Sequence, residues 1–351
     1  MEPREHKRDI RSLSRDDISE VVSELGQPAF RAKQLVEWLF EKNARSFDDM
    51  TNIPKALRSA LSERFSIDAP VEAAKQISRD GSRKYLLQYA DGVSVETVGM
   101  PSKGKLSVCV STQAGCGMKC AFCATGLAGL SRSLTSQEIV DQVVHVARDF
   151  GERVTSVVFM GQGEPFANYD ATIGALRMLN DPSGLNIGAR HLTVSTCGVI
   201  PGIKNFGRLP EQFTLAISLH SAVQSTRNQL MPGVKKYTLL RLHEALQNYV
   251  EATGRRPTYE FAMIEGVNDT NPEMQALCDF CEGTLCHVNL IQLNRIQDSP
   301  FQPSPMKKVE ELQRRLSMRG VETTIRNSRG GDIDAACGQL RQRVVGFKSC
   351  K

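Results

Sequence analysis

The sequence predicts an α/β protein: an incomplete (β/α)6 barrel preceded by a small N-terminal helical domain and a short β extension. Three observations carry that expectation. From residue 105 onward, apolar runs of strand length alternate with amphipathic helical windows, the pattern of parallel strands joined by crossover helices. About six such units follow one another, which suits an open barrel better than a closed eight-stranded one. Ahead of them, residues 1–68 repeat apolar side chains at the three- and four-residue intervals of helices.

In the helical domain, residues 16–25, 30–40 and 54–65 read as helices. Gly26-Gln27-Pro28 and Asn52-Ile53-Pro54 separate them, glycine and proline being the residues that stop one helix and open the next. Residues 69–104 form the extension: 84–89 and 93–100 alternate around Asp91-Gly92, a hairpin signal. The barrel occupies 105–351. Its expected strands are 106–111, 154–160, 191–195, 213–218, 257–263, 287–292 and 322–326. Its expected helices are 136–150, 169–179, 239–253, 272–280 and 306–319. In such folds the site lies at the C-terminal ends of the strands.

With 351 residues and 40% hydrophobic content the chain can bury a sizeable core. Ten cysteines would suit the disulfides of a secreted protein, but the first eight residues hold no apolar signal region and no segment approaches transmembrane length. The expectation is a cytoplasmic enzyme with mostly reduced thiols and no membrane partner. A formal charge of +5 is too modest to argue for nucleic acid by itself. Residues 307–351 carry eleven Lys or Arg against five Asp or Glu, more than the whole net excess. Of the two readings of that stretch, a solvated helix face and a phosphate-binding surface, the sequence alone favours the solvated face.

Cys116, Cys120 and Cys123 form a C-x3-C-x2-C run just after the first barrel strand. Three thiolates leave a structural zinc site one ligand short, and no fourth Cys or His lies at finger spacing. A cubane of four irons on three thiolates keeps one iron open to bind something else. The spacing resembles the radical S-adenosylmethionine (SAM) superfamily. There the amino and carboxylate groups of SAM chelate the open iron, and an electron from the 4Fe-4S cluster cleaves SAM to a 5'-deoxyadenosyl radical. The resemblance implies a TIM-like radical SAM barrel, one 4Fe-4S cluster and an electron donor such as flavodoxin or ferredoxin.

The remaining candidates fall just past strands, where the barrel rule puts a site. Gly161-Gln162-Gly163-Glu164-Pro165 follows the second strand, Ser195 ends the third, Ser218-Leu219-His220 ends the fourth, and Asn294 follows the sixth. Glycines after a strand let backbone approach a ligand, so Gly161, Gly163 and Glu164 are expected to offer amides and a carboxylate to a cationic amino group. Each is an ordinary loop residue when taken singly. Their shared position beside the cysteine loop raises them.

A last run, Arg329 through Cys337 to Leu340, narrows the family. It joins the cysteine loop, segments 30–35 and 50–54, Val95-Glu96-Thr97-Val98, Gly163-Glu164-Pro165, Ser218-Leu219-His220 and Gly266-Val267-Asn268-Asp269. Together these make the chain resemble the RlmN/Cfr family of RNA adenine methyltransferases over nearly its full length. Pro165 resembles the RlmN side, since Cfr relatives carry alanine there. Three departures stand out: Gln162 where many relatives have Met, no proline on either side of Asn294, and a different sequence after His220.

The resemblance implies a chemistry. Carbon 2 of adenine is too electron-poor to take a methyl group directly from a sulfonium, so a radical route is required. Cys337 is the implied methyl carrier, methylated by one SAM through nucleophilic displacement. A second SAM gives the radical that removes a hydrogen from the S-methyl group, and the methylene radical adds to adenine, joining RNA to protein. Cys109 is the implied resolving thiol, forming a disulfide with Cys337 that is reduced later, and Glu96 the implied proton acceptor. Cys116, Cys120 and Cys123 are the implied cluster ligands. Gly163, Glu164, Ser195, Ser218, Leu219, His220 and Asn294 are the implied SAM-binding set, with two SAM used per turnover.

The implied substrates are adenosine 2503 of 23S rRNA and, in dual-specificity members, adenosine 37 of tRNA, acted on by a monomer. Chemistry on a base edge requires an unstacked nucleotide, and the helical domain and basic tail are expected to hold the flanking phosphates. On the residues alone, Cys109 reads as a small buried hydrophobe and Glu96 as a surface residue of the hairpin, and Cys337 is an even choice between structural and reactive. Cys197, Cys278, Cys281, Cys286 and Cys350 have no matching role and read as structural. A second metal at 278–286 is disfavoured because most of that run is an expected helix. Two alternatives stay open: Cfr-like methylation at carbon 8 of the same adenosine, and a non-catalytic RNA-binding protein on the same fold.

Overall fold

The structure, a computed structural model, describes residues 7–42, 44–296, 299–326 and 328–340. Cys350 and the last basic residues of the tail lie outside the described residues. The chain opens with β1 (Arg8–Asp9) and the helices α1 (Arg15–Glu24), α2 (Phe30–Val36) and α3 (Lys55–Arg64), followed by β2 (Phe65–Ser66) parallel to β1. Ser14 and Asp17 cap the start of α1 reciprocally, each accepting the other's backbone N–H. Apolar stripes at helical spacing, Ile18 and Val22, Leu35 and Leu39, Leu57 and Leu61, close around Met50 into a core of the head's own.

Extension and barrel share one ten-stranded sheet. β3 (Val71–Ile77), β4 (Arg83–Gln88) and β5 (Ser94–Ser102) run antiparallel, and β5 pairs antiparallel with β6 (Lys105–Cys109), the first barrel strand. β7 (Gln113–Gly115) and β8 (Leu130–Ser133) form a separate hairpin around the short helix α4 (Ala124–Ala128). Beyond β6 the sheet is parallel throughout: β9 (Val154–Phe159), β10 (Leu192–Thr196), β11 (Thr214–Ser218), β12 (Thr258–Met263), β13 (His287–Gln292) and β14 (Glu322–Arg326). The connecting helices are α5 (Ser136–Phe150), α6 (Tyr169–Asn180), α7 (Ile200–Phe206), α8 (Gln224–Leu230), α9 (Leu239–Thr253), α10 (Asn271–Cys281) and α11 (Met306–Met318). Seven parallel strands with six helical crossovers leave the barrel open, its sheet ending at β14 on one side and β3 on the other.

This is the expected architecture with additions, the β1–β2 pair, the β7–β8 hairpin and α4 among them. β3 turns the hairpin into a three-stranded extension, and the extension continues the barrel sheet instead of standing apart. α7 and α8, each of seven residues, are too short to show a helical period in the sequence. Where the period is long it is reliable: α5 has a Thr135–Glu138 capping box, a left-handed Gly151 at its end and a buried stripe of Ile139, Val143 and Val146. No described helix is long and apolar enough to cross a membrane.

Side-chain alternation decides what reaches the barrel interior. Leu106, Val108 and Val110 on the first strand, Val157 and Phe159 on the second, and Tyr259, Phe261 and Met263 on β12 all pack outward into the main core under the helices. Their alternates, Cys109, Val158, Glu260 and Ala262 among them, line the interior cavities.

Arg11 ties the head to the barrel. Only 6% exposed, its guanidinium lies 2.6 Å from Asp141 of α5 and 2.9 Å from Asp9. Burial pushes the Asp141 carboxyl up to about 6 even against the pull of Arg11. Replacing Arg11 with Met leaves that carboxylate buried and uncompensated, at an expected cost of about 3–5 kcal/mol at neutral pH. Because the folded-state value lies above the unfolded one, the ionised form is what costs stability. The deficit should therefore shrink in urea unfolding at pH 5, where Asp141 takes up a proton; a deficit equal at pH 5 and pH 7 would show that the pair is not what joins the two parts.

Candidate active site

The segment after β6 is held by main-chain bonds. Cys116 N donates to Gly129 O at 2.7 Å, Cys123 N to Cys120 O at 3.2 Å, Ala121 N to Leu230 O at 2.9 Å and Gly233 N to Met118 O at 3.0 Å. The three thiols consequently line one cavity at the C-terminal mouth of the barrel. Gly161, Gly163, Glu164, Ser195, Ser218, His220, Asn294 and Cys337 line the same cavity. Burial pushes the Cys116 thiol up to about 12, with Cys120, Cys123 and Glu164 adding to the effect, and burial also raises Cys123. Holding all three as thiolates takes a bound cation, and sulfur donors gathered on one short loop fit an iron-sulfur cluster. Among the described residues, no group of three or more His, Cys, Asp or Glu converges as a single-ion site, the run 278–286 included.

Leu219 is the one expected SAM residue whose side chain does not reach the cavity. It is fully buried in the main core, and its N–H donates to Glu260 O at 3.0 Å. Alternation explains this: β11 turns Ala216, Ser218 and then His220 inward, and Leu215, Ile217 and Leu219 outward. Ser218 Oγ lies 3.2 Å from Ser195 Oγ on the neighbouring strand.

His220 adopts φ +56° and is packed edge-to-face on Phe122, 4.8 Å between ring centroids. Its Nδ1 accepts from Ala262 N at 3.0 Å, which puts the proton on Nε2. Burial, reinforced by Arg227, pushes the imidazole down to about 3, so it is neutral at physiological pH.

The glycine-rich turn lines the cavity and is also required by its neighbours in the fold. A Cβ at Gly161 would stand 2.7 Å from both Ser111 Oγ and Val110 O. One at Gly163, which has φ +103°, would stand 2.7 Å from the Gln113 side chain. The glycines are thus required by the neighbouring chain, whatever the ligand does. Glu164, 1% exposed, is likewise committed to the fold: Oε2 accepts from Cys197 N at 2.7 Å and Oε1 from Phe166 N at 3.0 Å. Burial raises its carboxyl against these hydrogen bonds.

Cys337 lines this cavity and also a second one, shared with Cys109, Met160, Arg326 and Arg329. Its loop is pinned from both sides. Ala124 N donates to Gly338 O at 2.8 Å, Thr125 Oγ1 to Leu340 O at 2.7 Å, and Asn294 Nδ2 to Cys337 O at 3.1 Å. On the extension side, Ser78 Oγ donates to Asp332 at 2.6 Å and Gly330 N to Asp80 at 3.0 Å. Burial pushes Cys109 up to about 12, with Cys337 adding to it. Cys337 keeps exposed surface, and such desolvation as its surroundings impose raises its thiol, opposed by Arg326 and reinforced by Glu260. Both are free thiols, so the implied Cys109–Cys337 disulfide is not formed in this structure. Glu96 is no surface residue: it is 2% exposed, its backbone N–H points to Gln162 Oε1 at 3.4 Å, and it lines neither cavity.

Comparison with known proteins places this geometry. Residues 8–67 match the ribosomal RNA large subunit methyltransferase N-terminal domain, and residues 110–279 match the radical SAM superfamily. A probable dual-specificity RNA methyltransferase RlmN of Geobacillus kaustophilus is 47% identical over 95% of this chain and 92% of its own. The Bacillus subtilis protein of the same description is 44% identical over 97% of this chain and 95% of its own. The chain belongs to the RlmN family of radical SAM RNA methyltransferases. In three dimensions, the crystal structure of a radical SAM methyltransferase from Sphaerobacter thermophilus superimposes with a TM-score of 0.91 at 40% identity, covering 95% of this chain and 99% of that one. RlmN membership brings a 4Fe-4S cluster and SAM to the fold, and the cavity with its three thiols is where they fit.

Within this RlmN-family cavity, several residues escaped the sequence reading. Glu260, Arg326, Thr125 and Cys197 line the cavities but sit inside strands or beside motifs, where spacing marks nothing. Gln162 was visible as a departure, and its amide oxygen meets the Glu96 N–H. Asn294, expected at SAM, lines the cavity, and its amide also donates to the Cys337 carbonyl. Glu164→Gln tests the double role of that residue. The change sets an NH2 against a backbone donor, and should lower the stability of cluster-free, SAM-free protein by about 1–3 kcal/mol in denaturant unfolding. An unchanged unfolding midpoint would mean that Glu164 matters for ligand alone.

Proposed function

We propose that this chain methylates carbon 2 of an adenosine in RNA, adenosine 2503 of 23S rRNA and adenosine 37 of tRNA, with Cys337 as methyl carrier. The observation that carries the reading is that Cys337 lines both the cavity of the three cluster cysteines and the cavity that holds Cys109. A carrier has to meet the methyl donor in one place and the resolving thiol in another. The names of the relatives, dual-specificity RNA methyltransferases, support an RNA substrate, and the match of residues 8–67 to a ribosomal RNA methyltransferase domain supports rRNA as one such substrate.

Cys337 attacks the methyl carbon of SAM: a sulfur–carbon bond forms as the sulfonium bond breaks, its electron pair staying on the departing thioether. Arg326 favours the thiolate this step needs. When bound by Cys116, Cys120 and Cys123, the cluster and a second SAM supply the radical that activates the S-methyl group. Ser195, Ser218, His220 and the Gly163–Glu164 turn form the SAM side of the cavity. Once the methylene carbon is joined to adenine, the adduct carries one electron too many for an aromatic ring; Glu96 takes the proton from carbon 2, the odd electron would return to the cluster that supplied it, and the ring regains aromaticity. Cys109 then attacks the sulfur of Cys337. A disulfide forms, the sulfur–methylene bond breaks with its pair on carbon, and that carbon takes a proton to become methyl. A flavodoxin or ferredoxin supplies electrons, and the enzyme acts as a cytoplasmic monomer. The head and the basic C-terminal segment take the flanking phosphates.

Nucleoside mass spectrometry of a 23S RNA fragment, after incubation with reconstituted enzyme, SAM and reductant, tests the reading. 2-Methyladenosine is expected, and none with Cys337→Ala; 8-methyladenosine would make the Cfr-like reading correct, and no methylated base with an intact cluster would leave an RNA-binding role. Cys109→Ala should trap RNA covalently on the protein. Because burial holds the Cys109 thiol well above neutral pH, its thiolate fraction rises with pH, and release of a preformed adduct should quicken from pH 7 to pH 9. A release rate independent of pH would remove Cys109 from the resolving role.

A further inference from the structure

The interior face of the barrel continues past β6 onto the antiparallel extension. Cys109 stands opposite Val98 on β5, and Val98 opposite Lys84 on β4, so all three project from one face of the sheet. Glu96, two residues from Val98, shares that face. Lys84 is 8% exposed, and its Nζ lies 3.2 Å from Glu96 Oε1. The same ammonium donates to the main-chain carbonyl of Asp334 at 3.2 Å, three residues before Cys337. A lysine on an extension strand is ordinarily solvated; one buried here must be paired and hydrogen-bonded to be tolerated. Its two partners are the carboxylate assigned above to proton removal and the backbone of the loop assigned to methyl transfer.

We propose that Lys84 is a positioning residue for resolution, holding the Glu96 carboxylate in place relative to the docked Cys337 loop. The inference rests on the reading of Glu96 as proton acceptor and Cys337 as carrier. The proton of carbon 2 goes to Glu96 and the odd electron of the adduct returns to the acceptor that supplied it, which together restore the aromatic ring; Lys84 takes no part in the transfer and only holds the carboxylate in place. The bond to Asp334, which has φ +51°, joins the Lys84–Glu96 pair to the loop that Ser78 and Asp80 clamp, so the pairing is coupled to the seating of that loop.

The test uses full-length reconstituted enzyme with an RNA fragment, comparing Lys84→Met and Lys84→Arg with Glu96→Gln and Cys109→Ala. Three quantities are read: S-methylation of Cys337 by peptide mass, covalent RNA on a denaturing gel, and 2-methyladenosine yield. For Lys84→Met, Cys337 should be methylated as in the unmodified enzyme while covalent RNA accumulates and product formation falls roughly tenfold or more. Lys84→Arg, which keeps a side chain able to reach both partners, should restore most of the yield and clear the adduct. Adduct accumulating in Glu96→Gln but not in Lys84→Met overturns the Lys84 proposal alone. If Glu96→Gln itself accumulates no adduct, the reading of Glu96 fails and the proposal falls with it. Loss of Cys337 methylation in Lys84→Met without rescue by Lys84→Arg would assign Lys84 to folding only, and would also overturn it.

Discussion

One face of a ten-stranded sheet has to serve as both the lining of an open barrel and the inner surface of its extension, and everything at the site depends on that continuity. Strand side chains alternate strictly, so a residue reaches the interior only if its position has the right parity. Cys109, Val98, Glu96 and Lys84 have it across three successive strands. Ser218 and His220 have it at the end of β11, and Leu219 between them does not. A shift of one residue in the pairing of β5 with β6 would send Glu96 toward α5 and leave Cys109 opposite the wrong neighbour. The outward face resists such a shift: Val95 and Tyr85 are packed in the main core, and a Cβ at Gly99 would lie 2.7 Å from Val146 of α5.

The second constraint is the seating of the C-terminal loop over the barrel mouth. Residues 330–340 have little regular structure, and a loop without ladder bonds must find partners elsewhere. It finds them on the cluster segment at Ala124 and Thr125, on the strand-end residues Asn294 and Arg295, and on the first extension turn at Ser78 and Asp80. Burial works against ionisation of Asp80, yet donors from Ser82 and Gly330 hold it down to about 2, so that anchor stays charged across the physiological range. Cys337 is therefore held at a fixed place between two cavities while its own side chain keeps exposed surface.

The electrostatics of the two thiols follow from that placement. Desolvation disfavours a thiolate at both, and each charge would repel the other. Arg326 is the nearby cation acting on both, and it also lies 3.8 Å from Glu260, whose second carboxylate oxygen has no partner among the described groups. The cavity thus favours neutral sulfur at rest and concentrates what cationic help there is beside the carbon–sulfur chemistry.

Much of this was legible in the chain. The strand and helix windows of the barrel follow from hydrophobic period, because crossover helices of ten to fifteen residues repeat their apolar stripe several times. The thiol triplet and the strand-end motifs follow from spacing, because cluster ligands and tight turns are local. The family resemblance supplied Cys109, Glu96 and Cys337, which composition alone reads as a buried hydrophobe, a surface carboxylate and an undecided thiol. The sequence by itself therefore determined the fold class, the cluster loop and the family. Only the tertiary structure decided which side chains face inward, that Gly161 and Gly163 serve neighbouring chain, that Asn294 holds the Cys337 carbonyl, and that Lys84 meets Glu96 and Asp334. The reason is separation along the chain: Lys84 and Asp334 stand 250 residues apart, and no local periodicity encodes a contact that exists only when sheet register and loop docking coincide.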